Sequence, residues 1–205
     1  MGMEMEKAFD FDFVFDTQFV FRKLLDAAAK PMTVVSIEKL KDSFADNAFL
    51  TALGCTLLDN AAELYVEKNT ALADTISSLT LSKQTDIENA DYIFLTSELN
   101  YETIRTIFEK AKKGTLADPH KSATIIISCR DFEGDEDITV ASPGIKDEYM
   151  GKTSTYIKTI LEIRQELQKV CDYPCGIDLF FISDKGEIFA YPRLARLVKL
   201  KKEAK

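Results

Sequence analysis

Short apolar runs alternate along this chain with stretches whose apolar residues recur every three or four positions, a pattern that predicts strands interleaved with helices. Phe9, Phe11, Phe13 and Phe15 alternate with mostly acidic neighbours, which predicts an N-terminal strand. Its aromatic face would need cover from the chain's own core or from a neighbouring subunit. Asp16 is the expected N-cap of a helix over 17–29, with Phe21, Leu24, Leu25 and Ala28 as its apolar stripe and Pro31 ending it. Further helices are predicted over 47–58, 71–79, 100–112 and 153–170. Gly114 stops the third of these, and the last aligns Ile157, Ile160, Ile163, Leu167 and Val170. Strands are predicted at 33–37, 64–66, 92–95, 123–128 and 138–140, the β-branched run at 123–128 being the expected central one. Residues 177–182 and 187–190 flank the turn residues Ser183, Asp184, Lys185 and Gly186 and predict a terminal hairpin.

Strands and helices alternate through the first two-thirds, and the chain closes in antiparallel pairs. The expected fold class is α/β, a central mixed β-sheet flanked by helices. No break in composition divides the chain, so 1–205 reads as one domain, with 1–8 and 199–205 expected to fray. A chain of 205 residues is long enough to bury roughly 70% of its unfolded surface.

Charge and chemistry narrow the function. The net charge of −8 argues against nucleic acid as a partner and against broad attraction of anions, although a local pocket can oppose the global sign. No apolar run reaches the roughly 18–20 residues that cross a bilayer, so no membrane association is expected. The acidic start also lacks the basic region of a signal peptide, and a cytoplasmic location is the expectation. The cysteines at 55, 129, 171 and 175 have neither metal nor redox spacing and read as reduced, structural thiols. His120 is the single histidine, so no metal site is expected. There is no phosphate-binding loop, no dinucleotide turn and no nucleophile elbow. A pyridoxal site would need a phosphate cup that eight scattered glycines do not offer, and no cofactor is expected.

Some positions stand out as binding or contact candidates. Asp178 enters the hairpin and Arg193 follows Pro192 at its exit, so both lie at one edge of the sheet. They read either as a structural pair bracing the hairpin or as an anion-binding or subunit-contact edge. Arg22 lies beside Phe21, off the helix stripe, either solvated or ion-paired, or reaching a partner's anion. Gly144, after Pro143, is a turn residue whose missing side chain also permits close backbone approach.

Tyr173-Pro174-Cys175-Gly176-Ile177-Asp178-Leu179 with Pro192-Arg193 resembles the C-terminal signature of the PhnH family, the H subunit of the bacterial carbon–phosphorus lyase system. Gly176 joins the candidates as part of that signature. Other blocks agree in order. Asp16-Thr17-Gln18, Phe21-Arg22 and Leu24-Leu25 ahead of Pro31 resemble the family's opening helix. Leu57-Leu58-Asp59-Asn60, then Gly114-Thr115 with Pro119 and Ala123-Thr124-Ile125-Ile126, resemble two internal blocks. Ser142-Pro143-Gly144-Ile145 is similar to the family's Gly-Pro-Gly-Ile turn, with serine where glycine is usual. Leu79-Thr80-Leu81 departs from a more polar stretch.

The resemblance implies a sheet similar to the large domain of pyridoxal-phosphate-dependent transferases, without the cofactor site. It also implies a supporting, non-catalytic subunit of the lyase core, partnered by the G, I and J subunits and homodimeric in isolation. The core's reaction would be displacement of adenine from ATP by an alkylphosphonate, giving a ribose 1-alkylphosphonate 5-triphosphate. Two other readings stay open: a homodimer that binds ATP or phosphonate, and a stand-alone transferase with its site at the dimer interface.

Overall fold

The computed structural model describes residues 9–198. The termini expected to fray fall outside the described residues. The chain opens with α1 (Phe15–Ala29), a short β1 (Val35–Ser36) and α2 (Ala48–Leu57), followed by β2 (Glu63–Glu67), α3 (Thr70–Thr80) and β3 (Lys83–Gln84). Next come β4 (Tyr92–Leu95), α4 (Tyr101–Lys110), β5 (Thr124–Cys129), β6 (Glu136–Ala141), β7 (Tyr149–Thr153) and α5 (Thr155–Gln168). The chain ends in β8 (Asp178–Ser183), β9 (Glu187–Tyr191) and β10 (Arg196–Leu197).

Seven strands form one mixed sheet in the order β1-β9-β8-β5-β4-β2-β3. The five from β8 to β3 are parallel, and β9 and β1 are added antiparallel. Successive side chains on a strand face opposite sides, and the core follows that alternation. Ile93, Leu95, Ile125, Ile127, Leu179 and Phe181 face α4 and α5, packing on Ile107, Phe108, Ile157 and Leu161. Phe94, Ile126 and Ile182 face the other side, against Val20 and Leu24 of α1, Leu53 of α2 and Ile76 of α3. The result is a helix–sheet–helix sandwich. Its central strands carry unbroken apolar runs through their middles because both of their faces are covered.

The α5 layer also carries a second sheet of three antiparallel strands, β10-β6-β7. Ile138 and Val140 of β6 extend the core on that side. The sequence predicts β6, but neither β7 nor β10.

The N-terminal strand is a misreading of the aromatic period. Only Phe9 forms a bridge, to Phe44, and α1 begins at Phe15. The rings of Phe9 and Phe11 pack on Phe44 at 5.4 and 5.1 Å, and each meets Phe13 edge-on. The helix cap is Asp12 rather than Asp16. Asp12 Oδ1 accepts the backbone N–H groups of Val14 at 2.8 Å and Phe15 at 2.9 Å, while Asp16 Oδ2 accepts from Asp12 N–H at 3.1 Å. The stripe of α1 is also rotated from the expected one: Val20, Leu24 and Ala27 are buried, and Phe21 and Leu25 face outward.

Candidate functional site

Antiparallel pairing of Leu179 with Tyr191 brings the two ends of the hairpin together, and with them Asp178 and Arg193. Asp178 Oδ1 accepts the backbone N–H of Arg193 at 2.7 Å. Its Oδ2 accepts from Arg193 Nε at 3.0 Å and also from Nη2. Arg193 Nη1 donates to the carbonyl of Pro119, in the loop before β5. The side chains are 21% and 24% exposed. The guanidinium thus ties the hairpin's exit both to its entrance and to the neighbouring loop. Planar donors suit such a clamp, in which each edge of the group has its own acceptor.

Beside this clamp lies a cleft of about 380 Å³, lined by Asp59, Asp91, His120, Ser122, Thr124 and Arg193 among others. Tyr92 and Thr124 open β4 and β5, so the cleft marks the amino-terminal edge of the parallel strands. Four separated stretches of sequence meet there: Leu57 to Ala62, Asp91-Tyr92, His120 to Thr124, and Arg193. Ligands of open α/β sheets ordinarily sit beyond the carboxyl ends of the strands, which here is the opposite edge.

Most charge around the cleft is already partnered. Asp91 accepts Glu63 N–H at 2.9 Å and Lys112 Nζ at 2.5 Å. Asp59 Oδ1 accepts Ala61 N–H at 2.9 Å, closing a turn. Lys121 Nζ lies 2.9 Å from Asp118, and its charge holds that carboxyl below the ordinary value. His120 is exposed on the rim, 4.0 Å from Asp118. Burial pushes the Tyr92 phenol up, with the charges of Asp91 and Asp59 adding to it. The Ser122 hydroxyl is buried without a partner. The cleft offers hydrogen-bonding groups and a braced wall. Among the described residues it shows no base aligned on a nucleophile.

The remaining candidates lie elsewhere. Arg22 is exposed on the outward face of α1 and reaches no partner among the described residues. Gly144 has φ +91° in a turn closed by Ile145 N–H on Ser142 O at 3.0 Å, and a Cβ there would stand 2.5 Å from the carbonyl oxygen of Ala29. The close approach it permits is to the end of α1. Gly176, at φ +147°, would collide through a Cβ with the Gln168 amide at 2.5 Å, and its N–H donates to Lys113 O at 2.9 Å. Both glycines seat one piece of the chain on another.

One residue escapes the sequence reading. Arg164 lies in the middle of α5 and is only 2% exposed. Its Nη1 and Nη2 donate to the carbonyls of Ala195 and Pro192, each at 2.7 Å, and its guanidinium lies 4.9 Å from the ring centre of Tyr191. Burial pushes its pKa down. The available signal was positional, because the line through Ile157 and Ile160 passes through residue 164 one turn later.

Fold and site together define a mixed α/β protein whose terminal hairpin is clamped over a polar cleft at the amino-terminal edge of the sheet. The model of the family described as bacterial phosphonate metabolism protein (PhnH) matches residues 8–198, and the chain belongs to that family. A comparison with curated proteins finds no match. No helix among the described residues is long and apolar enough to cross a membrane.

Proposed function

We propose that this chain is a supporting, non-catalytic subunit of the carbon–phosphorus lyase core, acting in the cytoplasm with the G, I and J subunits. The complex forms ribose 1-alkylphosphonate 5-triphosphate from ATP and an alkylphosphonate. The observation that carries this reading is the family match over residues 8–198, which gives a role in phosphonate metabolism. Two features of the molecule support the assembly role. The charges of the cleft are largely spent on internal ion pairs and backbone groups. Val14, just before α1, and Phe15, Phe21 and Leu25 on its outward face are each more than half exposed, and apolar surface of this kind marks contact sites.

In isolation that face pairs with a second copy. Arg22 and Asp26 lie on it one turn apart, so an antiparallel two-fold contact sets the arginine of one copy beside the aspartate of the other. The test is reconstitution of the synthase from purified subunits with and without this chain, using ATP and methylphosphonate. Loss of product without the chain, and no product from the chain alone, is the expected result. Turnover by the chain alone would establish the stand-alone transferase instead. Phe21→Glu with Leu25→Glu is expected to convert the isolated dimer to monomer in light scattering coupled to gel filtration.

A further inference from the structure

A groove of about 350 Å³ runs between the C-terminal part of α5 and the segment that follows β9. Arg164, Lys169, Arg193 and Arg196 line it, and no carboxylate among the described residues does. In a chain of net charge −8 this concentration of cations is the reverse of the overall field. Arg193 is neutralised by Asp178. The other three form no ion pair among the described residues. A local excess of positive charge therefore borders the groove.

Arg164 makes the point sharper. Its guanidinium is buried, its only hydrogen-bond partners are two carbonyl oxygens, and its Nε–H has no acceptor. The carboxylate acting on it, that of Asp178, makes no ion pair with it and is already bonded to Arg193. A buried charge so weakly balanced is costly, and removal from water strengthens its attraction for an anion placed beside it. Lys169 and Arg196 are exposed at the groove and can close on such an anion from outside. Tyr173, 77% exposed, borders the same groove with an aromatic surface. The space exceeds what a bare tetrahedral anion needs and lies within the range of small-molecule sites.

We propose that this groove binds a dianionic phosphoryl or phosphonyl group, with Arg164, Lys169 and Arg196 neutralising it and its organic substituent lying against Tyr173. The site lies apart from the α1 face and does not depend on the assembly role.

Calorimetric titration of the full chain at matched ionic strength tests it, with inorganic phosphate, methylphosphonate and a nucleoside monophosphate as probes and acetate as the monoanionic control. Saturable binding of at least one phosphorus dianion, without binding of acetate, is expected. The tightest probe then identifies the source of the group. Lys169→Ala with Arg196→Gln removes two charge-assisted contacts and is expected to weaken binding by about tenfold or more. The same loss of charge at the distant, exposed Lys68 and Lys83 should leave binding unchanged. Absence of saturable binding by all three probes, equal binding of acetate, or an affinity indifferent to the double substitution would overturn the proposal. The measurement uses the chain alone, so its failure leaves the synthase result standing, and failure of the synthase test leaves the groove's affinity standing.

Discussion

At the scale of single residues, the Asp178–Arg193 clamp carries the clearest energetic consequence. The carboxylate accepts one backbone and two guanidinium donors. Asp178→Ala therefore leaves a partly buried guanidinium and a backbone N–H without their acceptor. Hydrogen bonds to charged groups contribute about 1.5–3 kcal/mol each on removal of one partner. A loss of about 2–3 kcal/mol in urea unfolding is expected for this substitution. Arg193→Ala should cost a similar amount, and the double substitution less than the two combined, because each single change already breaks the same interaction. Arg193→Lys should recover little, since an ammonium cannot span Asp178 and the Pro119 carbonyl as a planar fork does. A cost within about 0.5 kcal/mol for Asp178→Ala, the ordinary range for a surface substitution, would mean that the clamp bears no load. This pair was legible in the sequence because a hairpin returns its ends to one edge. Arg164 was legible only in its position on the buried line of α5; its role was not, because the two carbonyls that receive it belong to the segment after β9.

At the scale of elements, the start of α1 shows how a correct chemical expectation can be attached to the wrong residue. Both Asp12 and Asp16 are able to cap, but only the shape of the chain over residues 9–13 decides which does. That segment folds its aromatic rings onto Phe44 and turns at Phe13 and Val14, so Asp12 meets the free N–H groups. Asp12→Ala is expected to cost about 1 kcal/mol, the usual value for a lost cap, read as a lower urea midpoint at constant slope. Asp16→Ala should cost less. Its strongest links are the Asp12 N–H and an ion pair to Lys39, whose side chain is half exposed, and exposed pairs contribute little. The reverse order would favour Asp16 as the cap. The same contrast explains which elements the sequence revealed. All of β4 and the middles of β5 and β8 (residues 92–95, 125–127 and 179–182) are unbroken apolar runs because helices cover both sides of the sheet, and such runs announce themselves. Strand β7 contains Gly151 and Lys152 and leaves Met150 exposed, so it exists through its pairing with β6 rather than through any pattern of its own. The cleft was hidden for a related reason: Asp59 becomes a neighbour of Ser122 and Thr124 only through the strand order β5-β4-β2, which local periodicity does not encode.

At the scale of the whole molecule, the two-sided core has a consequence that reaches beyond any single contact. Burial pushes the Tyr65, Tyr156 and Tyr191 phenols up to about 12, Tyr65 with further help from its hydrogen bond to the Glu67 carboxylate. It also pushes the Cys55 thiol up to about 11 and the Cys129 thiol up to about 12, the latter aided by Glu98, Asp184 and Asp131. These groups hold their protons in the folded protein at pH values where the unfolded chain has released them. Unfolding is then accompanied by proton release, and stability falls as pH rises. The contribution is complete below the unfolded thiol and phenol values, about 8.5 and 10. It is lost progressively as pH climbs toward the folded values of about 11 to 12. Urea midpoints measured across the alkaline range should therefore hold steady to about pH 8.5 and decline above it. Phenolate absorbance should show a fraction of the tyrosines ionising only with, or close to, global unfolding. If these phenols ionised near pH 10 in a chain that kept its native far-ultraviolet signal, the sandwich would not exclude water as its geometry requires. The acidic net charge works in the same direction, because each further ionisation adds to self-repulsion in a molecule that already carries −8. Added salt screens that repulsion but leaves the burial of the phenols and thiols intact. The alkaline decline should persist at high ionic strength, which separates the contribution of the core from that of the surface.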